Sequence, residues 1–198
     1  VHYKPLFFLG AVILASCGKV SVPEYVTPSD QIYQSASNWP KGLLDTVEYT
    51  CEFSPAGCAA AILAVNLRVA PPAEVATIMQ QLAMIAEQAS ISNPALGTQI
   101  MSALGTQAVT AAAINPAVAA VVSATIVATA TKVAIASPIS AAAMVQVAAA
   151  TAAATAPNMS AAQRQAVTEQ LRTLIATAGG AGNVPAVQSI VASLVFRV

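Results

Sequence analysis

The sequence predicts an all-α fold: an Ala-rich antiparallel array or bundle of helices about 18 residues long, following an extended N-terminal tether. Three observations point there. Pro72, Pro94, Pro116 and Pro138 recur every 22 residues, and Ser160 falls on the next step. Apolar side chains recur at helical spacing in the outer segments of this pattern. Alanine, the strongest helix former, dominates the segments between.

The chain opens on a leader. Residues 1–16 carry Lys4 and an unbroken apolar stretch from Leu6 to Leu14, too short to cross a bilayer as a permanent helix but suited to a signal-peptide core. Leu14-Ala15-Ser16-Cys17 resembles the lipobox of bacterial lipoproteins, with small residues directly before the cysteine. The resemblance implies diacylglycerol attachment to the Cys17 sulfur and cleavage after Ser16. It also implies a lipid anchor in the bacterial envelope. Gly18 rather than Asp after the cysteine implies the outer membrane, with the body facing the periplasm or the cell surface. The resemblance covers the leader alone.

Residues 17–42 are expected to form the lipidated tether. They hold Pro23, Pro28 and Pro40 among Tyr25, Tyr33 and Trp39, without a clear period. The three rings are candidate partner contacts, since Tyr and Trp are favoured at interfaces. Packing of the same rings onto the first helices is the alternative.

The helical domain is expected over 43–198. Near its start, Cys51 and Cys58 make an even pair once Cys17 is set aside. In an oxidising compartment they should close a small disulfide loop worth about 2.5 kcal/mol by loop entropy. Zinc is the alternative, and C-x6-C without histidine is poor spacing for it. Ser54-Pro55, Pro71-Pro72, Asn93-Pro94, Asn115-Pro116 and Ser137-Pro138 each place proline at an expected first helical position, with Asn or Ser as N-cap in the last three. Ser160 and Gln163 form a capping-box pattern.

Val75, Ile78, Met79, Leu82, Ile85 and Ala89 form one apolar stripe, with Glu74, Gln80, Gln81 and Gln88 opposite. Val167, Leu171, Leu174, Ile175 and Ala178 form another, stopped at Gly179-Gly180, and Val187, Ile190, Val191 and Leu194 mark a last short helix. Over 121–135 the pattern conflicts with itself. β-Branched residues and Ser occupy the odd positions, a strand signal. Alanine content and the flanking Asn-Pro and Ser-Pro pairs favour helix, and helix is the expectation.

The composition bounds the chemistry. Charged residues make up 8% of the chain and the formal net charge is zero, which gives no footing for nucleic acid. The one histidine, His2, lies in the leader, so a Ser-His-Asp or Cys-His site is excluded from the processed chain. Thr129-Ala-Thr-Lys132 superficially resembles a Ser-x-x-Lys nucleophile but lacks the partner motifs, and Lys132 reads as a solvated charge. Asp45, Glu48 and Glu52 cluster near the disulfide as a candidate cation site or acid pair, or as a solvated face. No enzyme activity, cofactor or metal is expected.

Function follows as an expectation: a membrane-anchored, non-enzymatic lipoprotein acting as an envelope structural or protein-interaction module. Its partner would be another envelope protein or its own copies. The alternative is an oligomeric pore or membrane-inserting assembly built from segments 94–157. Thr129, Thr151 and Thr173, 22 residues apart, also resemble the Ala/Thr helices of type I fish antifreeze proteins, which would imply adsorption to a surface.

Overall fold

The structure, a computed structural model, describes residues 41–179. These form seven α-helices: α1 (Lys41–Phe53), α2 (Pro55–Ala64), α3 (Val75–Ser92), α4 (Pro94–Ile114), α5 (Ala119–Ala136), α6 (Ala141–Thr155) and α7 (Ala161–Thr177). Short 3₁₀ turns occupy Leu67–Val69, Pro116–Val118, Pro138–Ser140 and Ala156–Asn158. No strand occurs among the described residues. Lys41 and Gly42, the last two residues of the expected tether, are helical.

The 22-residue period is built on a repeated corner. Asn93, Asn115 and Ser137 share one extended backbone conformation (φ near −135°, ψ 80 to 93°), as expected of a residue held before proline. Each N–H closes the helix behind it, on Ala89, Ala111 and Val133 respectively. Each carbonyl accepts from the residue three ahead, Leu96, Val118 and Ser140. Pro71 repeats the second half of this corner, accepting from the Glu74 N–H. One residue therefore separates the helical segments at the Asn93, Asn115 and Ser137 corners.

The prolines do not all stand where expected. Pro55 and Pro94 open α2 and α4 directly, whereas Pro116 and Pro138 open 3₁₀ turns and Pro72 opens a turn before Val75. Of the three predicted caps, only the Asn115 side chain accepts from the backbone, at Ala117 N. The corner is held by backbone bonds and proline's fixed φ, so the side-chain cap is dispensable there. Ser160 and Gln163 do form the reciprocal capping box, and Gly179 stops α7 with φ +65°.

Burial follows the same period. Equivalent positions in α3 to α6 bury Ile78, Ile100, Val122 and Met144, then Leu82, Leu104, Ile126 and Ala148, then Ala86, Ala108, Ala130 and Ala152. Bulk sits on one line and alanine on another, which lets neighbours approach closely. The alternating stretch 121–135 lies wholly inside α5, with Val122, Ile126, Val127, Ala130, Val133 and Ala134 buried at helical spacing. Thr125 and Thr131 donate to the carbonyls four residues back, so their hydroxyls are satisfied within the helix.

Packing pairs determine the architecture. Every helix contacts its neighbours in sequence, and also the helix two along: α1 with α3, α3 with α5, α5 with α7, α2 with α4, and α4 with α6. The helices thus form two layers, α1-α3-α5-α7 and α2-α4-α6. Successive helices are antiparallel: Ser123 near the start of α5 meets Thr155 at the end of α6, hydroxyl to hydroxyl, at 2.5 Å. Helices within a layer are parallel and in register. Lys132 Nζ on α5 reaches Glu87 Oε2 on α3 at 2.9 Å, and Asn158 Nδ2 reaches Ala112 O at 3.1 Å, across 45 and 46 residues.

Candidate functional site

The site is built where α1 leaves the regular pattern. Leu44, Val47 and Cys51 are buried along one side of α1, and the Cys51–Cys58 disulfide ties that helix to α2 with a Cα–Cα distance of 4.3 Å. The tie fixes α1 to α2, and the space between α1 and α3 is not filled. A cleft of about 1060 Å³ remains, bounded by Lys41, Leu44, Asp45, Glu48, Cys51 and Glu52 on α1, by Pro55, and by Gln81, Met84, Ile85, Gln88, Ala89, Ser92 and Asn93 on and just after α3.

The surface of this cleft is mixed in a definite order. Leu44, Ile85 and Ala89 give it an apolar floor, and Met84 rises from it with 67% of its surface exposed. Gln81, Gln88, Ser92 and Asn93 supply amide and hydroxyl groups along the α3 side. Asp45, Glu48 and Glu52 line the α1 side, all exposed. They are three of the six acidic residues in 41–179, and none enters the ion pairs found there, Lys132 with Glu87 and Arg172 with Glu169.

The structure therefore brings the predicted carboxylate cluster to one wall of a cleft. It does not make a metal site of it, for no group of three or more potential ligands converges among the described residues. Cys51 and Cys58 are paired as expected. Cys17, expected to carry the lipid, and the rings Tyr25, Tyr33 and Trp39 lie outside the described residues, as does the helix expected near Val187 to Leu194. Also on α1, but not among the residues bounding the cleft, Tyr49 and Phe53 are exposed and their rings meet at 4.6 Å, a pair that the sequence did not single out.

The remaining candidates resolve structurally. Thr129 is 4% exposed and Lys132 is paired with Glu87, so the Thr-x-x-Lys pattern is one buried hydroxyl and one surface ion pair. Thr151 is buried too, which leaves Thr173 as the only exposed member of the three threonines proposed to form an adsorbing row. Two helical stretches, Pro116–Ala136 and Pro138–Asn158, are long and apolar enough to cross a membrane, and about half of each is buried in the array.

The most specific polar contact away from the cleft is Gln107 on α4. Its Nε2 lies 3.0 to 3.1 Å from the carbonyls of Ile62, Leu63 and Val65, collecting the C-terminal end of α2, while Oε1 is buried without a partner. Its period equivalents are Ile85, Thr129 and Thr151, so an amide at this place was a departure visible in the sequence.

Comparison of the chain with protein-family models, with curated proteins and with solved structures finds no match in any of the three.

Proposed function

We propose that this chain is a lipid-anchored, non-enzymatic module of the bacterial envelope that holds another envelope protein, or a second copy of itself, through the cleft between α1 and α3. The observation that carries the reading is the cleft itself: an open, apolar-floored groove with an exposed methionine, on the helix that directly follows the tether. Methionine on a concave surface adapts to differently shaped apolar partners. The Cys51–Cys58 disulfide supports an oxidising compartment, and Leu14-Ala15-Ser16-Cys17 supports the anchor.

Two substitutions test the two halves of this proposal. Cys17→Ser should move the protein from the membrane fraction to the soluble fraction and remove the lipid mass from its N-terminal peptide. Met84→Glu should leave the protein anchored but abolish recovery of crosslinked envelope partners. Unchanged partners in the Met84→Glu protein would refute the cleft as the binding surface.

The pore reading draws on the two apolar stretches, Pro116–Ala136 and Pro138–Asn158. Insertion would have to separate α5 from α3 and α7, undoing the layer it sits in. Dye release from liposomes by unlipidated protein would favour it; intact liposomes at saturating protein would remove it.

A further inference from the structure

We propose that the α1–α3 cleft is occupied by the chain's own residues 33–40, with Trp39 and Tyr33 on its apolar floor, and that a partner binds by displacing them. The inference rests on the cleft being a binding surface, and adds what fills it when no partner is present.

Chain geometry comes first. Lys41, the first residue of α1, is itself a wall of the cleft, so the segment that ends at Pro40 starts at the cleft's mouth. A residue before proline is disfavoured from helical backbone, which suits an extended course for a segment ending in Trp39-Pro40. The wall of α1 from Lys41 to Glu52 is about 17 Å long at 1.5 Å per residue. Six residues of extended chain, from Trp39 back to Tyr33, span about 20 Å. A segment doubling back along α1 therefore sets Trp39 near the Lys41 end and Tyr33 near the Glu52 end.

Chemistry agrees with the geometry. Leu44, Met84 and Ile85 offer the rings apolar contact, and a thioether packs well against an aromatic edge. Gln81, Gln88 and Ser92 can bond the main chain of an extended peptide. Residues 33–40 carry no charge, so the three carboxylates stay hydrated at the rim, and the docking should not depend on salt. Covalent connection makes the docking intramolecular, which favours it over a free ligand of equal intrinsic affinity.

Trp39 is the only tryptophan in the chain, so its fluorescence reports this docking directly. The measurement uses the chain from Gly18 to Val198, which keeps every residue of the array, with far-UV circular dichroism to confirm the fold. In this protein Trp39 should emit as a shielded indole, resist quenching by acrylamide, and do so equally at low and high salt and at every protein concentration. Met84→Glu, a substitution at an exposed position, should preserve the helical spectrum and shift Trp39 to the emission and quenching of free tryptophan. A solvent-like Trp39 in the unsubstituted protein overturns the proposal. So does shielding that survives Met84→Glu, which would place the ring elsewhere, or shielding that fades on dilution, which would make a second copy the occupant. Loss of shielding with salt overturns the neutral-segment account. The readout needs no partner, so its failure is separate from failure of the partner-recovery experiment.

Discussion

At Gly105, α4 lies tight against α6, and the consequence for substitution can be worked out. A Cβ added there would lie 2.6 Å from Thr151 Oγ1, 3.4 Å from Val147 Cγ1 and 4.0 Å from Thr151 Cβ. Only the hydroxyl obstructs it, and Thr151 is buried and β-branched, with little rotamer freedom to move aside. Alanine in place of glycine inside a helix gains about 0.8–1.0 kcal/mol, whereas forcing extra volume into a packed contact costs about 1–3 kcal/mol. Gly105→Ala should therefore range from neutral to about 2 kcal/mol destabilising. In a Thr151→Ala background the obstruction is gone, and the same substitution should stabilise by about 1 kcal/mol. Urea and thermal unfolding of the four proteins, followed by circular dichroism, measures the cycle; 1 kcal/mol corresponds to about 2–4 °C in Tm at this chain length. A coupling below about 0.5 kcal/mol would refute the argument, because contacting residues should not be additive.

Other outcomes follow from contacts already described. Replacing Gln107 by Leu should cost about 1–3 kcal/mol, since the carbonyls at the end of α2 lose their donor. Gln107→Glu sets carboxylate oxygens against those carbonyls. Its folded-state pKa is thereby raised above the usual value of about 4.3, and stability should fall as pH rises from 4 to 7, a trend urea titrations at both pH values would detect. Thr155 gives its one proton to the Thr151 or Ala152 carbonyl, so Ser123 must be the donor in their 2.5 Å contact. Thr155→Val should then cost more than Ser123→Ala, by about 1 kcal/mol in unfolding free energy, because it strands a buried donor. Ser160→Ala should lower stability by about 1 kcal/mol through loss of the capping box, and reduction of Cys51–Cys58 by about 2.5 kcal/mol, read as a urea midpoint with and without reductant.

The element boundaries were legible because proline and its neighbour write them. The apolar stripe Val75 to Ala89 and the Ser160–Gln163 pair also signalled their own surroundings. The layering was not legible, because every helix turns inward the same few apolar types, Ala and Val with Ile, Leu and Met, and none marks which helix it meets. Glu87 and Lys132, or Gln107 and Ile62, lie about two periods apart, and nothing local links them. The cleft was half legible. Asp45, Glu48 and Glu52 stood out as a cluster, but the opposing wall did not. Its Gln81 and Gln88 read as a solvated face, and Met84 carried only the faint signal of a large apolar residue outside the stripe. Sequence spacing shows which residues share a helix face; it does not show that two helices stop short of touching.

The one-residue corner imposes a rule of parity on the chain. Each 22-residue unit contributes one helix and one reversal, so its neighbours belong to the opposite layer and run the opposite way. Inserting or deleting a single unit would exchange odd and even helices beyond that point. In-register pairs that span that point would be lost, as Glu87–Lys132 would be for a change between α3 and α5, and the far terminus would emerge at the other end of the helices. Two units together, 44 residues, restore direction, layer and register at once. An array of this design is free to lengthen or shorten by even steps and is barred from odd ones.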